Sequence, residues 1–226
     1  MTKTALITGG SRGIGRATAE LLRAREWEVT TPTRRELDFT DPETITFYER
    51  QNMKHGIPFI DAIIFCHGEW YSKAIDDKSR YPIDWYRQFS MRLVWPAEFM
   101  EFFLLGNELS RPKCVIMVSS TRGFIGGADT GPYAVACAAQ IALMQGYARE
   151  YGNGVRFNVV CPGLTDTDMG DEVIAAGGAK PGAAMQPAEA VAAEIVRLIE
   201  SDDNGKVVRV VDGKADEMVW GKLIKE

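Results

Sequence analysis

Histidine is the scarcest informative residue in this 226-residue chain, occurring only at His55 and His67. A histidine-rich metal centre is therefore not expected, and no metal is assigned. The four cysteines, Cys66, Cys114, Cys137 and Cys161, form no CxxC pair and no zinc-type spacing. Scattered thiols of this kind are expected to be reduced, in the cytoplasm. No apolar run approaches the ~20 residues needed to cross a bilayer, so no membrane association is expected. Met1-Thr2-Lys3-Thr4 leads almost at once into an apolar strand, unlike an export signal. The net charge of −5 comes without any basic stripe, so a nucleic-acid partner is not expected either. No linker and no internal repeat divides the chain, and residues 1–226 are read as one domain.

What is present is ordinary in bulk, 46% apolar and 25% charged, and informative in order. Short β-branched runs alternate with longer helical stretches, the pattern of a parallel sheet covered on both faces. Strands are expected at Thr4–Thr8, Trp27–Thr31, Leu37-Asp38, Ile60–Phe65, Val115–Val118, Val155–Val160 and Val207–Val211. Helices are expected at Ile14–Arg25, Pro42–Met53, Pro82–Leu105, Tyr133–Tyr151 and Pro187–Glu200. Glycine and proline punctuate the joints. The stretch from Asp171 to Gln186, rich in Ala and Gly, is nearly featureless.

Two of these helices carry more apolar surface than one sheet face hides. Pro82–Leu105 holds Trp85, Phe89, Trp95, Phe99, Phe102 and Phe103, and Tyr133–Tyr151 is apolar nearly all round. Burial under the chain's own loops is one explanation. A symmetric contact between copies is the preferred one, giving a homodimer or homotetramer through these two helices.

Thr8-Gly9-Gly10-Ser11-Arg12-Gly13-Ile14-Gly15 joins the first strand to the first helix. Glycines there permit a sharp turn and let a diphosphate approach the helix N-terminus, where free N–H groups favour negative charge. In this strand–turn–helix setting the motif predicts a dinucleotide, on an α/β, three-layer, Rossmann-type doubly wound parallel sheet of about seven strands. An acid at the end of the second strand would suit the ribose of NAD. Here Thr31-Pro32-Thr33-Arg34-Arg35 precedes the first acid, Glu36, and Arg12 lies in the turn itself. Guanidinium groups match a 2′-phosphate, so NADP(H) is expected in preference to NAD(H).

With these motifs in place the chain resembles the short-chain dehydrogenase/reductase family from Thr8 to about Asp212. The resemblance implies that Gly9, Ser11, Arg12, Gly13, Ile14 and Gly15 form the cofactor turn, with Arg34 nearby. It places Asp38 and Phe39 at the third-strand end beside adenine, and Cys66 and Gly68 after the fourth strand. It gives Ser120 and Tyr133 as catalytic serine and tyrosine, Tyr133 also lying against the cofactor. Pro162, Gly163, Thr165 and Thr167 correspond to the segment that holds the nicotinamide carboxamide.

Two departures accompany the match. The family's lysine, four residues after the tyrosine, is replaced by Cys137, and its asparagine falls on Arg92, four residues ahead of Pro96. A tyrosine with a free pKa of about 10 needs a nearby cation to work near neutrality, and Cys137 carries none. Arg92 is the candidate substitute, as a cation beside the tyrosine or as a grip on an anionic substrate; a solvent-facing or salt-bridged residue is the plainer alternative. The function expected is NADP(H)-dependent hydride transfer between nicotinamide and a small carbonyl or alcohol. A non-catalytic NADP(H)-binding protein, a sensor or assembly partner, is the alternative.

Overall fold

A computed structural model describes residues 2–55, 59–73, 82–105, 112–128, 130–152 and 154–218. Its centre is a seven-stranded sheet made of β1 (Thr4–Thr8), β2 (Glu28–Thr30), β3 (Ala62–Phe65), β4 (Cys114–Val118), β5 (Arg156–Pro162), β6 (Val207–Val211) and β7 (Lys214–Glu217). The spatial order is β2-β1-β3-β4-β5-β6-β7. All neighbours run parallel except β7, which turns back antiparallel on β6. From β1 the chain goes first to one side, to β2, and then to the other, to β3. That reversal opens a crevice at the carboxyl ends of β1 and β3, where open α/β sheets bind ligands.

Helices α1 (Gly13–Arg23) and α8 (Ala188–Glu200) cover one face, and α4 (Trp95–Leu104) and α6 (Gly131–Glu150) the other, with α2 (Pro42–His55) beside α4. The two-residue period of the strands explains the division. Ala5, Ile7, Ala62, Ile64, Ile116 and Val160 point to the side of Leu22, Val191 and Ile195. Leu6, Ile63, Phe65, Val115, Met117 and Phe157 point to the side of Phe99, Phe103, Ile141 and Met144. Phe99 and Phe103 are fully buried, and burial of each contributes roughly 1.5–3 kcal/mol. Much of the aromatic surplus is thus absorbed within the chain. Ile83, Tyr86, Val94 and Val135 stay exposed on α3 (Pro82–Phe89), the turn that follows it, and α6.

Several elements differ from the sequence expectation. No strand forms at Leu37-Asp38; instead the Glu36 carboxylate accepts from Thr33 N–H and Thr33 Oγ1, closing a turn, and Leu37 and Phe39 plug the core. The seventh strand is β7, whose Lys-Ala-Asp-Glu sequence has no apolar face and pairs only with β6. The stretch expected to be featureless contains most of α7 (Asp168–Ala175). Thr167 caps that helix by accepting from Gly170 N–H at 3.1 Å, and Asp168 and Asp171 favour its positive end.

The helix expected over Pro82–Leu105 is interrupted by a π-turn at Ser90–Val94. Pro96 accounts for it, because proline has no N–H to offer to either Arg92 O in α register or Met91 O in π register. Side chains from elsewhere take both carbonyls. Gln140 Nε2 donates to Arg92 O at 2.8 Å, and His67 Nε2 meets Met91 O at 3.0 Å. The widened turn directs Arg92 inward.

Candidate active site

The crevice is a cavity of about 670 Å³ along the carboxyl ends of the central strands. At one end lies the glycine turn: Gly9, Ser11, Arg12, Gly13, Ile14 and Gly15 all line it. Gly9 and Gly13 have φ of +69° and +53°, which favour glycine. A Cβ on Gly15 would stand 2.3 Å from Gly9 O, so only glycine lets α1 begin this close to β1. No side chain caps the α1 N-terminus, which leaves its first amides free for an anion.

Arg34, Asp38 and Phe39 form the neighbouring wall, whereas Arg35 is exposed and does not line the cavity. Arg34 lies 3.5 Å from Asp38, and Arg12 lies 2.8 Å from Asp168. Both arginine side chains are well exposed, so these pairs hold weakly and exchange readily for another anion. Asp38 also accepts from Thr40 N–H and Thr40 Oγ1, which fixes its carboxylate. Phe39 stacks on His67 with centroids 4.1 Å apart.

His67 is structural in its bonding. Met91 O can only accept, so Nε2 carries the proton, and Nδ1 accepts from the Thr8 hydroxyl at 2.6 Å. Burial and, to a smaller extent, nearby Arg92 push its pKa down to about 4, so the ring is neutral at pH 7. Cys66 and Gly68, on either side of it, line the cavity.

The opposite end holds the residues of chemical interest. Ser120 follows β4, and its Oγ accepts from Arg122 N–H at 3.2 Å. Tyr133, near the start of α6, lies near enough to the Ser120 hydroxyl and the Cys137 thiol for both to act on its phenol. A Cβ on Gly123 would meet Cys137 backbone at 3.0 Å; this close packing of α5 (Arg122–Ile125) against α6 holds the serine loop to the tyrosine helix. Tyr133 is pushed up to about 12, first by burial and then by Cys137, with Arg92 and Ser120 acting the other way. It is a protonated hydroxyl throughout the neutral range.

Arg92 is only 3% exposed, and its guanidinium lies over the Tyr133 ring, 4.4 Å from the centroid. It is therefore not solvent-facing. Cys137 is sealed among Tyr71, Tyr133 and Trp70. Cys137→Lys is expected to overpack this cluster by about 1–3 kcal/mol, lowering the melting temperature by several degrees with no gain in turnover. Thermal unfolding alongside an NADPH assay checks it; a faster, equally stable variant would show that the space is open.

Pro162, Gly163, Thr165 and Thr167 complete the cavity between its two ends. Gln186 Nε2 donates to Thr165 Oγ1 and to Val210 O, bracing this segment on β6. The Thr167 hydroxyl is engaged as the α7 cap. The residues assigned to the cofactor and to the Ser120–Tyr133–Arg92 group thus line one cavity, while Arg35 and Cys137 do not. Trp70 and Arg122 also line it and carried no sequence signal. Trp70 stands edge-on to Tyr133 at 5.0 Å, and Arg122 reaches across to Gly178 O at 2.9 Å. The Gln140 and His67 contacts had a signal in Pro96.

The chain is similar to known proteins along most of its length. The family described as short chain dehydrogenase matches residues 109–177. The chain is 30% identical over 190 residues to the 3-oxoacyl-[acyl-carrier-protein] reductase FabG of Vibrio harveyi, covering 74% of this chain and 75% of that one. Among solved structures it is similar to the ligand-free aldohexose dehydrogenase AldT of Thermoplasma acidophilum, with a TM-score of 0.80, 22% identity, and coverage of 94% of this chain and 93% of that one. It is also similar to ElxO with NADP bound, with a TM-score of 0.79, 22% identity, and coverage of 94% and 98%.

Proposed function

Because the chain belongs to the short-chain dehydrogenase family, we propose that it is an NADP(H)-dependent oxidoreductase acting on a small carbonyl or alcohol compound. The observation that carries the reading is the single cavity with an uncapped, glycine-lined helix start at one end and Tyr133 with Ser120 at the other. The reductase name of the Vibrio harveyi relative and the NADP bound to ElxO support the same choice.

The residues present fit such a cofactor. The free amides at the start of α1 suit a diphosphate, and Arg12 and Arg34 suit a further phosphate on the adenosine ribose. Pro162, Gly163, Thr165 and Thr167 are the residues that would hold the nicotinamide end. When bound and reduced, the cofactor supplies a hydride. Ser120 donates a hydrogen bond to the substrate carbonyl oxygen, orienting it and favouring negative charge there. Tyr133 gives that oxygen its proton and recovers one from solvent. Arg92, over the ring, opposes the effect of burial on the phenol.

A homodimer or homotetramer through α3, α4 and α6 belongs to this reading, and exposed Ile83, Tyr86, Val94 and Val135 support it. So does a cytoplasmic, reducing setting, with four free cysteines. No described helix is long and apolar enough to cross a membrane.

Parallel calorimetric titrations test the cofactor preference. Arg34→Ala is expected to weaken NADPH binding about tenfold while leaving NADH binding nearly unchanged, because only NADPH offers the 2′-phosphate. Equal losses for both would remove Arg34 from phosphate recognition. No affinity of the native protein for either coenzyme would remove the oxidoreductase reading.

A further inference from the structure

The substrate end of the cavity carries positive charge that no acid among the described residues answers. Arg92, 3% exposed, bonds only to neutral oxygens: Nε to Gln88 Oε1 at 3.1 Å and Nη2 to Glu69 O at 2.9 Å. The Glu69 carboxylate itself is held by Arg87. Arg122, half-buried, likewise bonds to neutral carbonyls, to Gly126 O at 3.3 Å and Gly178 O at 2.9 Å. Among the described residues neither arginine has a carboxylate partner. The acids that line the cavity, Asp38 and Asp168, belong to the glycine-turn end, paired with Arg34 and Arg12.

A guanidinium keeps its proton in a protein, and burying one without a counter-charge is costly. Tyr133, protonated in this setting, supplies no anion. No described residue supplies the counter-charge, and an anion seated in the cavity would. A phosphate of the cofactor does not meet this need, because the glycine turn and Arg12 stand at the far end of the cavity.

We propose that the substrate is a short oxo acid whose carboxylate is held by Arg92 and Arg122 while its carbonyl meets Ser120 and Tyr133. Since Arg92 lies directly over the Tyr133 ring, the carboxylate and carbonyl stand close together in the substrate, as in a 2- or 3-oxo acid. Ile125, Met169 and Val173 leave an apolar wall for a short alkyl chain. This inference rests on the carbonyl-reducing reading. The carbonyl carbon takes a hydride from reduced nicotinamide, which is oxidised, and the oxygen takes the Tyr133 proton, giving a hydroxy acid.

The test compares 2-oxobutyrate and 3-oxobutyrate with their methyl esters as NADPH-dependent substrates. In parallel, unreactive oxamate and neutral oxamide are titrated calorimetrically into NADPH-loaded protein. The acids are expected to exceed the esters by about 10- to 100-fold in kcat/KM, the range of a charge-assisted contact, and oxamate to bind where oxamide does not. Both gaps should shrink toward one in Arg92→Gln. Arg122→Gln, away from the buried core, gives the same readout should Arg92→Gln fail to fold. Equal turnover of acids and esters overturns the anionic substrate and leaves carbonyl reduction intact. Oxamate binding with no turnover of any compound leaves the anion site standing and removes the reduction. Absence of both removes the two together.

Discussion

Tyr133→Phe is expected to lower NADPH-dependent carbonyl turnover by about 10²–10⁴-fold, the range for loss of a positioned proton donor. Cofactor affinity should hardly change, because the variant loses one hydroxyl and keeps the ring beside Arg92 and Trp70. The pH profile of the native protein follows from the same residue. Its pKa, raised by burial to about 12, keeps the acid form filled at every pH below that. Carbonyl reduction, which needs the protonated hydroxyl, is therefore expected to stay level between pH 6 and pH 9. Alcohol oxidation needs the phenolate, which is scarce there, so its rate should climb about tenfold per pH unit across the same window. Stopped assays in both directions, with native protein and variant, read this out. Equal background in the two proteins would favour an NADP(H)-binding role without catalysis.

Much of the fold could be read because its signals are local. A glycine-rich turn between an apolar strand and a helix needs only a dozen consecutive residues to be recognised, and the alternation of β and α segments follows the same logic. The misreadings lie where long-range pairing decides. Leu37 and Phe39 are apolar enough for a strand, yet the Thr33–Glu36 turn leaves them as core plugs beyond the edge strand β2. The β7 residues have no apolar face, and their only reason to be extended is β6.

The candidate site divides in the same way. Ser120, Tyr133 and the glycines were visible as motifs. Arg92 was visible only as the residue standing where the family has another, and its burial against Tyr133 depends on the π-turn. Pro96 announced that two carbonyls would go unmatched but not that His67 and Gln140 would take them. Arg122 was silent because its role depends on Gly178, distant in sequence and brought near by the α7 segment.

Gly15→Ala is expected to damage binding and stability together. Its added Cβ would stand 2.3 Å from Gly9 O and 2.8 Å from the adjoining carbonyl carbon, and both atoms belong to backbone that a rotamer change cannot move. To relieve the overlap, α1 must shift away from the turn. That shift loosens Leu22 and Ala19 against Ile7 and Ile64, at an overpacking cost of about 1–3 kcal/mol. For a chain of this size the melting temperature should fall by roughly 2–12 °C. The same shift carries the free amides at the start of α1 away from the position a diphosphate would take, so NADPH affinity should fall at least ~100-fold. Thermal unfolding and calorimetry on one preparation separate the two effects. Gly146→Ala is the matched control, since a Cβ there meets nothing within 4 Å. It should bind NADPH as the native protein does, and Ala at a helix interior should even add slight stability. Native-like NADPH affinity in Gly15→Ala would mean that the glycine turn is a packing device alone, with no diphosphate seated on it.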